Sequence, residues 1–412
     1  MTRQLLIGMT VCIAFSGITC APHDEKHNTA PPQPNVETAN GDPADSVRPE
    51  LPKQAMAQVP DAYMKRIDAA RETIRRRHPL TSHGFWTVFH YILGVGPHNA
   101  MLRDDDDPNK LVNAVEFICA GKELNGLVFE EKRDGTVNVV TLAGSGVGQG
   151  HQDQFVAEMT QWGMPLDKVF MIKGNRHTFA DFVRHSKQNA SLGKRQELSW
   201  AVLIIAEHYP ELWKAPQRPS DKWTNTFEDF IPESKTIRVT KEELSLEDIV
   251  RYEIAEPINP TTTCGGTHRL FDLAWVYFRH RERGGKKEGV WKDAVDYLDK
   301  YKKLAKEYQN KDGTFSTKYV AEPGNDADPE LRVNTTGHVL EWLALYLSDA
   351  ELREPWVLYA VDELCKLLLQ NANRTFDGGS YYHAAHALEI YRARVFGAAD
   401  AHPPVIPPVP KD

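Results

Sequence analysis

The run Asn334-Thr-Thr-Gly-His338-Val-Leu-Glu341-Trp342-Leu-Ala-Leu-Tyr-Leu347 is apolar around nearly the whole circumference of a helix and carries a histidine near its start. A helix with no face suited to water belongs inside a protein. The segment before it, residues 289–308, places apolar residues at three- and four-residue steps with charges between them, which predicts an outer, half-wet helix.

The same alternation of an amphipathic helix and a more apolar one runs through the chain. Residues 61–75 precede 83–94, 110–121 precede 151–162, and 178–188 precede 196–208. Further on, 245–255 precede 267–278, 289–308 precede 334–347, and 350–369 precede 380–391. Six such pairs predict an all-α fold, an (α/α)6 toroid with apolar helices inside and amphipathic ones outside. An open solenoid or a pair of bundles is the alternative arrangement.

Insertions interrupt the pattern. Residues 127–142 alternate in two runs about Asp134-Gly135, the signature of a small β-hairpin insertion, and 314–320 read as a second short ribbon. The aromatic stretch 216–240 reads as a packed connecting loop or as a lid over one end of the ring.

The chain has 412 residues, of which 41% are hydrophobic, enough for a substantial core. With 49 Lys and Arg against 57 Asp and Glu, its formal charge is -8 and no nucleic acid is expected as partner. At the N-terminus one Arg precedes the apolar run Leu5 to Thr19, which is closed by Cys20. This is the profile of an export signal at 1–20, of lipoprotein type if Cys20 is the lipidation site. Residues 21–60 are Pro-, Asp- and Asn-rich and read as a flexible tether. The expected folded body is 61–396, followed by a Pro-rich tail at 397–412 lying outside it. On this reading the protein is exported, periplasmic or at the cell surface, and meets a membrane only through its N-terminal anchor. Cys119 and Cys365 read as small buried hydrophobes.

At Gln309-Asn-Lys-Asp-Gly313-Thr-Phe315 followed by Asn334-Thr-Thr-Gly-His338, the chain resembles the prenyltransferase and squalene-cyclase repeat, mainly in its C-terminal third. In that repeat a Gln-x-x-x-Gly-x-aromatic segment ends an outer helix and a Thr-Thr pair begins the next inner one. Gln370 with Asp377-Gly-Gly-Ser-Tyr381 is a looser copy, and Cys264-Gly-Gly-Thr-His268 a third. The resemblance implies a terpenoid cyclase-like α/α toroid and an isoprenoid-binding or cyclase-like protein. Two departures weaken the functional half of that implication. Asp104-Asp-Asp-Asp107 matches the cyclases' acidic motif in letters but sits between Arg103 and Pro108, as an exposed turn would. The Asp-x-Cys zinc pair of protein prenyltransferases does not occur.

Histidines recur at the starts of the apolar helices: His83, His151, His268, His338 and His383, with Glu197 in the remaining one. In a ring they would converge at one mouth as a histidine-rich central pocket for a small molecule or glycan. The positive end of each helix dipole would keep the imidazoles neutral, fit to bind metal or accept a proton. The catalytic candidates are therefore His338, His383, His268, His151 and Glu197. Glu341, three residues after His338, and Asp272, four after His268, could orient rings. Asp153, His386, Arg269, Tyr382, Trp86, Trp342 and His83 complete the expected binding set. The metal ligands are not defined by a compact motif. Zinc is the expected cofactor if one is present, held by His268 with Cys264 and a third ligand from His338 or His383. A noncatalytic cell-surface scaffold for protein binding explains the same repeats as structural devices.

Overall fold

The computed structural model describes residues 54, 56–141, 153–190, 195–213, 224–225, 237–238, 245–259 and 264–410. The expected signal with Cys20, most of the tether, His151, the Glu197 side chain and most of the 216–240 stretch lie outside them. Among the described residues the protein is mostly helical, with short antiparallel hairpins.

Six apolar helices are observed among the described residues. They are α2 (Phe85–Val95), α4 (Gln154–Gln161), α6 (Arg195–His208), α8 (Thr267–Glu282), α10 (Pro329–Tyr346) and α12 (Gly378–Phe396). Each contacts the next in chain order, α2 on α4, α4 on α6, α6 on α8, α8 on α10 and α10 on α12, and α12 in turn packs on α2. The amphipathic partners are α1 (Asp61–Arg75), α3 (Ala114–Cys119), α5 (Phe179–Asn189), α7 (Leu246–Ile254), α9 (Val290–Glu307) and α11 (Pro355–Gln370). They lie against the apolar set and partly on one another, with α1 on α11 and α7 on α9.

Burial follows the sequence pattern. Every residue from 335 to 347 and from 378 to 392 is buried, so α10 and α12 have no wet face. In α9 the apolar residues Val290, Trp291, Ala294, Val295, Leu298, Tyr301 and Ala305 are buried at helical spacing, as an outer helix requires.

Helix α10 begins earlier than the Thr335-Thr336 pair suggests. Asp328 accepts the amide N–H of Glu330 and Pro329 occupies the first helical position, a cap and a fixed φ that start the helix there. His338 is therefore in the third turn, and His383, in a helix capped by Asp377, is in the second. Helix α3 is also shorter than the expected 110–121. Residues Leu111–Asn113 form a strand with Met101–Arg103, and the Asn113 side chain caps the helix at Glu116.

The hairpin about Asp134-Gly135 is present. Strands Leu127–Glu131 (β3) and Val137–Thr141 (β4) pair in antiparallel register, with Gly135 at φ 78° where a side chain would be strained. Two more described hairpins were not expected. One joins Met101–Arg103 (β1) to Leu111–Asn113 (β2). The other joins Val169–Ile172 (β5) to Asn175–Thr178 (β6) through Lys173 and Gly174, both at positive φ. Single pairings also link 224–225 with 237–238. Residues 314–320 contain turns and no strand.

The Pro-rich tail does not stay outside the body. Val405 donates its backbone N–H to Gln161 at 2.8 Å, His402 stacks on His98, and Asp400 pairs with Arg71 and Arg75. The body also extends back to Met56, whose N–H meets the Arg353 carbonyl. Cys119 and Cys365 are buried and free, as read from sequence. No helix among the described residues is long and apolar enough to cross a membrane.

Candidate metal centre

Two glycines set how closely the helices meet. A Cβ on Gly337 of α10 would come within 2.8 Å of Ala384 Cα, and one on Gly94 of α2 within 2.9 Å of Tyr382 Cβ. Both contacts are to α12, so α2 and α10 press against it backbone to backbone. The side chains that flank these glycines, His90 and His338, are thereby brought to His383.

His268, His338 and His383 each offer a ligating atom, and the three atoms lie within 4.8 Å of one another. Their rings stand close, with centroids 4.1 Å apart for His338 and His383, 4.8 Å for His268 and His383, and 5.4 Å for His268 and His338. These three histidines could bind a metal ion.

Hydrogen bonds orient the rings. His338 Nδ1 lies 2.8 Å from the Asn334 carbonyl, which can only accept, so Nδ1 carries the proton. His383 Nδ1 donates to Glu341 at 2.9 Å, and His386 Nδ1 donates to the other oxygen of that carboxylate at 2.7 Å. In each neutral ring the proton on Nδ1 leaves Nε2 with a lone pair. His268 shares a hydrogen bond with the Cys264 side chain, and its buried Nε2 has no partner. Carbonyl and carboxylate acceptors that take the other ring proton are how proteins fix metal-binding imidazoles.

Burial, with the neighbouring histidines adding to it, holds His338 well below the ordinary imidazole value, and burial also lowers His383. The neutral state expected from helix dipoles is thus supplied by desolvation, because His338 and His383 are not in a first turn. His268 is at the second helical position but behaves oppositely. Burial lowers it, yet the adjoining Cys264 outweighs this and raises it overall. Burial would raise Glu341, but the electrostatic pull and hydrogen bonds of His383 and His386 prevail and hold it well below the usual carboxylate range.

Under the histidines lies a small cavity lined by Leu93, Glu158, Gln161, Trp200, His268, Phe271, Asp272, Glu341 and His383. Its volume is about 10 Å³, room for one water or one ion. Both oxygens of Asp272 and one of Glu158 are buried without a hydrogen-bond partner. Burial, reinforced by neighbouring carboxylates, pushes both groups well above the ordinary carboxylate range.

The remaining candidates are distributed differently. His83 is half-buried ahead of α2 and accepts the Leu80 N–H at 3.1 Å, a local turn contact. Trp86 packs its ring 3.9 Å from that of His90 and donates to Asp377. Asp153 accepts the Ser186 hydroxyl at 2.6 Å, tying α4 to α5. Arg269 pairs with Glu253 at 2.9 Å rather than with a histidine. Trp342 is fully buried in the core, and Tyr382 packs on Tyr91 and Gly94. Cys264 is not in the ligand group; its contact is with His268. Asp104 to Asp107 form the expected turn, where Asp105 accepts from Thr81 and Ser82.

Sequence reading missed His90 and Glu158. Each is an ionisable residue with apolar or aromatic neighbours on both sides, between Phe89 and Tyr91 and between Ala157 and Met159. That isolation was the available signal. Comparison of the chain with family models, curated proteins and solved structures finds no significant match.

Proposed function

We propose that this chain is an exported (α/α)6-toroid protein that carries a divalent transition metal, of the zinc class, on His268, His338 and His383 at its axis. The single observation behind the metal is that three imidazoles from α8, α10 and α12 meet within 4.8 Å in a buried place. Neutral imidazole suits zinc, copper, nickel and iron, and the absence of a thiolate from the group disfavours the softest ions. In support of the toroid, each apolar helix neighbours the next and α12 returns to α2. The resemblance to the prenyltransferase and squalene-cyclase repeat agrees with that arrangement. The apolar run ending at Cys20 supports export and a lipid tether.

On this reading the metal clamps the centre of the ring, since a space for one water cannot admit a terpenoid or a sugar. A small molecule or glycan, or a protein partner, is then met at the mouth or rim. The unpaired carboxyls of Asp272 and Glu158 favour a second reading, a hydrolytic centre. There a metal-bound water would lose its proton to a neighbouring carboxylate.

Elemental analysis of the purified full-length protein tests the proposal. One equivalent of metal, lost in His338→Ala with the helical circular dichroism intact, is the expected result. Well-folded wild-type protein that takes up no added zinc, cobalt, nickel or copper would reject it.

A further inference from the structure

We propose that His90 of α2 is a fourth ligand of this metal centre, an inference that rests on the metal reading of the other three histidines. His90 is fully buried in the middle of α2, and its ring centroid is 5.2 Å from that of His383. Its electrostatic neighbours are His383, His268 and His338.

Its orientation repeats that of His338. His90 Nδ1 donates to the Trp86 carbonyl four residues back at 2.8 Å, as His338 Nδ1 donates to Asn334 at the same distance. The proton on Nδ1 leaves Nε2 as an acceptor, and that atom is buried with no hydrogen-bond partner. Buried acceptors are nearly always satisfied, and an unsatisfied one in a tightly packed helix calls for an explanation. A cation held by the adjacent three histidines supplies the partner.

Packing makes the position unavoidable rather than incidental. Gly94, one turn after His90, lets α2 press on Tyr382, one residue before His383. Trp86 closes the outer side of the imidazole at 3.9 Å. The tight group of ligating atoms does not include His90, so the four rings must draw together by side-chain rotation to reach zinc–nitrogen bonds of about 2.0–2.1 Å. The ligand is then a tetrahedral divalent ion with four imidazole nitrogens. Such a shell joins α2 to α8, α10 and α12, and gives no position to a substrate.

The test uses the full-length protein, stripped of metal and titrated with Co²⁺ or Zn²⁺. X-ray absorption of the wild type is expected to count four imidazoles on one metal, and azide should leave the visible Co²⁺ spectrum unchanged. His90→Ala should keep one metal with three imidazoles. Its affinity should fall more than the ~10–100-fold typical of an outer-shell partner, and its Co²⁺ spectrum should now respond to azide. A wild type with one metal on three imidazoles, azide-responsive and matched by His90→Ala, overturns the inference and leaves the three-histidine centre standing. A wild type that binds no metal overturns both. The wild-type imidazole count does not depend on whether any variant folds.

Discussion

Glu341 on α10 accepts a hydrogen bond from His383 on α12 at 2.9 Å, where Gly337 lets the two helices press together. The bond sets which nitrogen of His383 is free, and the same carboxylate holds His386 at 2.7 Å. Removing its charge while keeping its shape isolates this orienting role. Glu341→Gln should remain folded and keep one metal equivalent, with affinity lower by about 10–100-fold. Competition with a chromophoric chelator measures it, and unchanged affinity would deny Glu341 that role.

His383→Ala and His83→Ala should separate the histidine group from a histidine outside it. The first removes a member of the close group and should abolish stoichiometric binding, whereas His83 makes its contact at Leu80 and should be dispensable. Metal content per chain after dialysis decides between them. Equal loss in both would mean the ligands are not those assigned.

Gly337→Ala should damage site and stability together. The added methyl meets Ala384 backbone and side chain at 2.8–2.9 Å, and neither helix can yield without moving its histidine. Overpacking of this kind costs about 1–3 kcal/mol. A lowered denaturation midpoint with weakened metal binding is expected; a neutral result on both would show that the helices can separate freely.

In the metal-free protein, acid and base should act through different groups. His90 and His338 are held low, chiefly by burial, so the unfolded chain takes up protons below about pH 6.5 that the folded one does not. Their stabilising contribution is present above that pH and is lost as pH falls. Asp272 and Glu158 are held high, again chiefly by burial, so their contribution is present at low pH and is lost as pH rises through their folded values. Asp272→Asn with Glu158→Gln should therefore remove a loss of stability that sets in above about pH 4, where the unfolded carboxyls ionise. Thermal melts from about pH 4 to 9 read this, and an unchanged slope across that range would refute it.

Arg71 should be a costly buried charge to remove. Its guanidinium grips Glu389 with two bonds of 2.6 Å, both groups buried, and also reaches Asp400 in the tail. Arg71→Ala leaves Glu389 buried and alone, at a cost of about 3–5 kcal/mol. Arg71→Met with Glu389→Leu should recover most of it in equilibrium unfolding, because no charge is stranded. A double variant as unstable as the single one would contradict this account.

Helix identity was legible because period and composition are local properties. Residues 334–347 and 380–391 have no polar face, and burial of α10 and α12 on all sides follows from that alone. Starts were less legible. Asp328-Pro329 outranked Thr335-Thr336 as a helix beginning, since a cap and a proline act directly on the first turn. That shift changed the physics of His338 from a dipole effect to one of desolvation.

Alternating amphipathic and apolar helices, a hairpin at Asp134-Gly135 and histidines gathered in the apolar set are all written in local sequence. Which histidines meet is a matter of packing between helices. His268, His338 and His383 come together, the His90 ring lies 5.2 Å from that of His383, and His83 makes its contact at Leu80 instead. Meeting depends on where Gly94 and Gly337 let backbones touch, contacts with Tyr382 and Ala384 on another helix that no local pattern encodes.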